Sequence, residues 1–199
     1  MEPIVVIGAG LAGCEAAWPI AKRGGKVILY EMKPETYSPA HRSPFFAELV
    51  CSNSFKSESM ENASGILKEE MRQLDSLILK VAQEARVPAG DSLAVDREVF
   101  SMEGTQILES LDNVKVIRKE VSSIPQDGIT VIETGPLTSE ALCKEIKKVT
   151  GFHRLFFYDA ISPIVTADSI NFQKIFKSSR HGKGGKDDIN CPMNEQEHE

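Results

Sequence analysis

The sequence predicts an α/β protein built on a doubly wound parallel sheet. Three observations predict it. Short apolar runs alternate with helix-compatible stretches, the pattern of strands joined by crossover helices. The first run, Ile4-Val5-Val6-Ile7, passes into Gly8-Ala9-Gly10-Leu11-Ala12-Gly13 and then a helix. The second run, Val27-Ile28-Leu29-Tyr30, ends on an acid, Glu31.

Taken in order, residues 3–8 read as a strand, 10–23 as a helix and 26–31 as a second strand. Pro19 falls inside that helix, where it removes a hydrogen bond and should kink it. Residues 32–60 look irregular, with Pro34, Pro39, Pro44 and many serines, but Phe45-Phe46 and Leu49-Val50 offer apolar anchors. A loop of this length in a compact domain is expected to be ordered and functional. Across residues 64–85, Leu67, Met71, Leu74, Ile78, Val81 and Ala85 recur at helical spacing, so one amphipathic helix with one buried stripe is expected, ended by Pro88 and Gly90. Residues 96–110 read as a further helix. Val114-Lys115-Val116-Ile117 and Ile129-Thr130-Val131-Ile132 read as strands, with Asp127-Gly128 as the turn between them. Residues 138–149 are helical with Thr138 or Ser139 as cap. Leu155-Phe156-Phe157-Tyr158 is a buried strand, and from Phe172 onward the signal weakens. The expected division is a domain over 1–170 with a long insert at 32–110, then the start of a second segment at 171–199.

Composition narrows the class. Hydrophobic residues are 41% and charged residues 26%, which suits a soluble globular chain. The longest uncharged run, residues 3–14, is shorter than the roughly 18 residues a membrane span needs. Glu2 stands where a signal peptide would be positive, so the expected location is cytoplasmic, with no membrane association. Cys14, Cys51, Cys143 and Cys191 form no close pair, which argues against a disulfide framework or a metal site. A net charge of −6 argues against non-specific nucleic-acid binding by the chain as a whole.

The glycine turn carries the first chemical signal. Gly8 permits the tight turn off the strand, Gly10 lets backbone approach a pyrophosphate, and Gly13 lets the helix pack on the strand. Ala9, Leu11 and Ala12 complete the turn, and the helix N-terminus offers N–H groups to phosphates. Glu31 sits where a carboxylate can accept both hydroxyls of an adenosine ribose. With strand, turn, helix, strand and acid all in place, the stretch reads as a dinucleotide site.

Three further stretches are candidates. In Glu133-Thr134-Gly135-Pro136, Gly135 can return backbone to the dinucleotide, or the strand simply exits into a turn. Cys51, within Leu49-Val50-Cys51-Ser52-Asn53-Ser54 and near Lys56, is either a nucleophile or a buried structural cysteine. Arg97 can reach a phosphate or belong to a solvated helix start. Lys174, Lys177, Arg180 and Lys183 recur every three residues. They can touch RNA phosphates or form a solvated face or mobile tail.

Taken together, the glycine turn with Cys14-Glu15-Ala16-Ala17, Cys51-Ser52-Asn53-Ser54, Leu67-Lys68-Glu69-Glu70-Met71, Ala94-Val95-Asp96-Arg97, Thr134-Gly135-Pro136-Leu137, Tyr158-Asp159-Ala160-Ile161-Ser162-Pro163 and Asn190-Cys191-Pro192-Met193 resemble the folate- and FAD-dependent tRNA uracil-5-methyltransferases. These are related to the GidA/MnmG flavoproteins. The resemblance spans essentially the whole chain but only the N-terminal half of a typical member. It implies a Rossmann-like, FAD-binding sheet, incomplete at its C-terminus. It also implies 5,10-methylenetetrahydrofolate as one-carbon donor, NAD(P)H as reductant and C5 of a T-loop uridine in tRNA as acceptor. Cys51 matches the family's cysteine in the Cys-Ser-Asn-Ser motif. A second family cysteine is expected beyond residue 199, in a missing C-terminal half or a second chain. Pro19, Glu133 and Asp91-Ser92 depart from the family pattern. Two other functions remain: a non-catalytic FAD-binding fragment, and the related flavoprotein that installs carboxymethylaminomethyl groups on wobble uridine. Cys51-Ser52-Asn53-Ser54 and Thr134-Gly135-Pro136-Leu137 argue against the latter.

Overall fold

The computed structural model describes residues 2–151, 165–178, 186, 188–192 and 194. Its centre is a four-stranded parallel sheet of β1 (Ile4–Ile7), β2 (Val27–Glu31), β6 (Val114–Arg118) and β7 (Thr130–Ile132), in the order β6-β2-β1-β7. Side chains alternate across β2, so Val27 and Leu29 enter the core while Glu31 is buried at the strand's C-terminal end. Helix α1 (Leu11–Lys22) connects β1 to β2. It runs unbroken through Pro19. The residue whose carbonyl loses its usual donor is Glu15, four positions earlier.

Between β2 and β6 the chain builds a small antiparallel sheet and three helices. Strands β3 (Ser54–Ser57), β5 (Ser92–Val95) and β4 (Arg86–Val87) pair in the order β3-β5-β4. β3 gives part of the irregular 32–60 stretch a regular partner. Helices α2 (Ala63–Gln73), α3 (Leu77–Glu84) and α4 (Arg97–Glu109) complete this stretch. Leu77, Leu79 and Val81 of α3, Phe100 and Leu108 of α4 and Phe46 of the loop join Val6, Cys14, Ala17 and Leu29 in one core. Full burial of each large aliphatic or aromatic side chain contributes about 1.5–3 kcal/mol.

The single helix expected over residues 64–85 is two. Asp75 takes a left-handed φ of 60° between α2 and α3. Ser76 then caps α3, its Oγ accepting the Leu79 N–H at 3.2 Å. Oε2 of Glu15 accepts from both Ser76 Oγ and the Ile78 N–H, each at 3.0 Å. A cap and a partner carboxylate outweigh a continued apolar stripe. The stripe therefore divides. Ile78, Val81 and Ala85 are buried, but Leu67 is 56% and Leu74 76% exposed. The helix also ends at Glu84, before Pro88, because Arg86 and Val87 pair with β5.

Asp127-Gly128 does not close a hairpin, since β6 and β7 lie at opposite edges of the sheet. Helix α5 (Glu140–Thr150) follows β7, with Ser139 at its N-cap and Gly151 ending it at φ 71°. Strands β8 (Phe176–Ser178) and β9 (Asp188–Asn190) pair antiparallel in the region of weak signal. The strand expected at 155–158 lies outside the described residues. No helix among the described residues is long and apolar enough to cross a membrane.

Candidate dinucleotide site

All four parallel strands end on one side, and a cavity of about 330 Å³ opens there. That is within the range of small-molecule sites. Gly8, Ala9, Gly10, Leu11, Ala12, Glu31 and Gly135 line it, together with Lys33, His41, Glu48, Val50 and Thr134.

The glycines divide by role. A Cβ on Gly13 would lie 1.8 Å from the Gly8 carbonyl oxygen, and one on Gly8 would lie 2.4 Å from the Glu133 oxygen. These two positions need glycine for the turn and helix to pack. Gly10 differs, because a Cβ there would meet nothing within 4 Å of protein. Its open side is the cavity. The first turn of α1, with N–H groups lacking intrahelical partners, faces the same space.

Ala9 is fully buried and all its backbone groups are held. Its N–H donates to Glu31 Oε2 at 3.1 Å. Its carbonyl accepts from the Ala47 N–H at 2.8 Å and from Cys14 Sγ at 3.4 Å. Glu31 Oε1 accepts the Lys33 N–H at 3.0 Å. Each carboxylate oxygen thus spends one lone-pair direction on the chain and keeps another for a ligand hydroxyl. Cys14 is a core residue. Burial, followed by the nearby Glu31 charge, pushes its thiol up to about 12.

The loop after β2 is ordered against this turn. Lys33 is buried, and its Nζ donates to the Phe45 carbonyl at 2.6 Å and to Glu48 Oε2 at 3.2 Å. Glu48 Oε1 accepts the N–H groups of Arg42 and Ser43 at 2.8 and 3.1 Å. Burial pushes the Glu48 carboxyl up, but those two N–H groups and the Lys33 ammonium together hold it below its ordinary value. The Phe46 N–H donates to Thr105 Oγ1 at 2.7 Å, and the Arg118 guanidinium lies 4.2 Å over the Phe46 ring.

Cys51 follows Val50 out of the cavity wall and is exposed, so it is not a core cysteine. Asn53 fixes the stretch: its Nδ2 donates to the Val95 carbonyl at 3.0 Å, and its own carbonyl accepts the Val95 N–H at 2.9 Å. This brings the Cys51 stretch beside Asp96 and Arg97. Arg97 does not line the cavity, and neither does Gly13. Arg97 is the first residue of α4, after Asp96, whose Oδ1 caps the helix at 3.0 Å from the N–H groups of both Glu98 and Val99. Lys174 and Lys177 are exposed, and Arg180 and Lys183 lie outside the described residues. Among the described residues no cluster could hold a metal ion.

Lys33, His41 and Glu48 were not legible as site residues, whereas Thr134 lies in the candidate stretch before Gly135. Lys33 is two positions past Glu31 on a strand exit, the one local signal that it turns toward the same space. Nothing in the sequence pairs it with Glu48.

Sheet, glycine turn, buried acid and cavity together make a protein of Rossmann-like fold with a candidate dinucleotide site. Comparison with known proteins narrows this: residues 3–199 match the family model of glucose inhibited division protein A, and the chain belongs to that family. It is 58% identical over 198 residues to the methylenetetrahydrofolate--tRNA-(uracil-5-)-methyltransferase TrmFO of Desulfitobacterium hafniense, covering 100% of this chain and 45% of that one. It is 57% identical over 199 residues to the enzyme of the same name from Acetivibrio thermocellus, covering 46% of it. The chain thus spans under half the length of these relatives. Among solved structures, Aquifex aeolicus GidA matches with a TM-score of 0.50 at 20% identity, over 63% of this chain and 21% of that one. That likeness supports the fold.

Proposed function

We propose that this chain is the FAD-holding half of a methyltransferase that acts on C5 of the T-loop uridine of tRNA. 5,10-Methylenetetrahydrofolate is its one-carbon donor and NAD(P)H its reductant, in the cytoplasm. The observation that carries the reading is the cavity over the glycine turn, with Gly10 open to it and Glu31 fixed beside it. The names borne by the relatives supply the reaction class.

The donor set fits a flavin dinucleotide. The α1 N-terminus and the open Gly10 suit its pyrophosphate, and the spare lone pairs of Glu31 suit a ribose. Gly135, with φ 66° and nothing within 4 Å of a Cβ, lets backbone approach from β7. When bound, FAD supplies electron transfer and the relay of the one-carbon unit. The chain's own part is to hold phosphate charge at α1, to tie the Cys51 loop to the turn through Ala47 and the Lys33–Glu48 pair, and to present the Cys51 thiol to the uracil ring. Arg97, at the start of α4 and outside the cavity lining, contributes its charge to a cofactor phosphate. Lys174, Lys177, Arg180 and Lys183 contact RNA phosphates.

A second reading, an FAD-binding chain that transfers nothing by itself, is favoured by the share of the relatives' length that is spanned. Methyl transfer needs flavin, folate and uridine held together, and misplacement by about 1 Å can cost on the order of 100-fold in rate. The experiment is mass spectrometry of unmodified tRNA after incubation with FAD, NAD(P)H and methylenetetrahydrofolate. We expect no methylated uridine from residues 1–199 alone and methylation from a full-length relative. Turnover by the 199-residue chain would place the whole machinery within it.

A further inference from the structure

His41 lies on the cavity wall, yet the reading above gives it no task. Its Nδ1 is 2.5 Å from Oγ of the buried Ser38, and that Oγ also accepts the Ala40 N–H at 3.3 Å. A serine hydroxyl has one hydrogen to give. With the Ala40 N–H received, Ser38 satisfies itself by donating to Nδ1. The other tautomer, with Nδ1–H pointing at Oγ, would leave the buried serine hydrogen without an acceptor among the described residues, which is costly. The ring hydrogen therefore belongs on Nε2.

Charge around the ring agrees with a neutral imidazole. Burial, then the Lys33 ammonium, holds its pKa below the ordinary histidine value. Arg42 acts in the same direction, while Glu48 and Glu31 oppose it. The result is a neutral N–H donor at the end of the cavity where Glu31 and Lys33 stand.

We propose that His41 is a ligand-binding residue of this site, its Nε2–H donating to a ribose or phosphate oxygen of the bound dinucleotide, with Ser38 as the positioning residue that sets the tautomer. This rests on the reading of the cavity as an FAD site. It extends that site beyond the glycine turn to the loop after β2.

The test titrates FAD and ADP separately into the parent chain and into His41→Leu, His41→Gln and Ser38→Ala. ADP carries the ribose and phosphates without the flavin. The glutamine amide can replace the Nε2–H donor; leucine cannot. His41→Leu should bind both ligands about 10-fold more weakly, Ser38→Ala about 3-fold, and His41→Gln within about 3-fold of parent, as loss of one hydrogen bond to an oxygen predicts. Equal affinity of His41→Leu and parent would overturn the proposal, as would equal loss in the leucine and glutamine variants. If the parent binds neither ligand, the FAD reading falls and this proposal with it. Nitrogen NMR of the parent at pH 7 tests the tautomer without any variant. A neutral ring protonated at Nε2 is expected, and an Nδ1–H ring or an imidazolium would contradict it.

Discussion

The Ala9 N–H donates to Glu31 Oε2 at 3.1 Å, joining the turn after β1 to the end of β2 across 22 residues. The acid is thus fixed before any ligand arrives. A carboxylate held by backbone donors loses no rotamer freedom on binding, so a ligand hydroxyl meets a preorganised acceptor. The Ala9 carbonyl also accepts the Ala47 N–H, so the same residue positions the loop that leads to Cys51.

The two glycines of the turn should behave oppositely when enlarged. Gly13→Ala places a Cβ 1.8 Å from the Gly8 oxygen, where backbone must move, whereas Gly10→Ala has open space. Gly13→Ala should lose at least about 2 kcal/mol of stability, as overpacked sites do, and Gly10→Ala less than about 1 kcal/mol. Urea unfolding curves measure both.

Cys51 should react with a thiol reagent faster than Cys14. Cys14 is buried with its thiol pushed up to about 12, leaving on the order of one thiolate in 10,000 at pH 8. Cys51 is exposed and follows Val50, a cavity residue. Mass-mapped alkylation should also show FAD slowing the Cys51 reaction. Equal rates at the two cysteines would return Cys51 to a structural role.

Breaking the Lys33–Glu48 pair should be expensive. Lys33→Met leaves a partly buried carboxylate with only its two backbone donors, a loss of about 3 kcal/mol. The depressed Glu48 carboxyl contributes stability that is present above its unfolded value, near 4.5, and fades as pH falls through the lower folded value. Melting temperatures measured across acid pH should therefore fall less steeply for Glu48→Gln than for parent.

Asp96→Ala removes an Oδ1 that receives the Glu98 and Val99 N–H groups, and should cost about 1 kcal/mol. A binding role for Arg97 is separable, because Arg97→Gln leaves the cap intact. Its effect should appear in ligand or tRNA affinity and not in the melt.

The legible part of the chain was local. Strand, turn, helix and acid over residues 4–31 each declare themselves through their neighbours, and the structure places them as read. The break at Asp75-Ser76 was half legible, since both residues favour caps, but the apolar spacing from Leu67 to Ala85 masked it. What decided it was Glu15, which is 61 residues from Ser76 in sequence. The ordered loop was anticipated from Phe45-Phe46. Its buried pair was not, because a lysine 15 residues from a glutamate carries no periodic signal. Pairing of Asn53 with Val95 was hidden for the same reason: the partners lie 42 residues apart.

If FAD occupies the cavity over the glycine turn, a flavin fluorescence titration of the parent chain against Gly10→Val will separate the two. Valine at this position projects a branched side chain into the space reserved for the pyrophosphate, where no protein atom stands within 4 Å of a Cβ. The parent should bind FAD saturably at one-to-one and the variant not at all, with the same circular dichroism spectrum for both. Equal FAD binding by the two chains, or none by the parent, would contradict this placement of FAD.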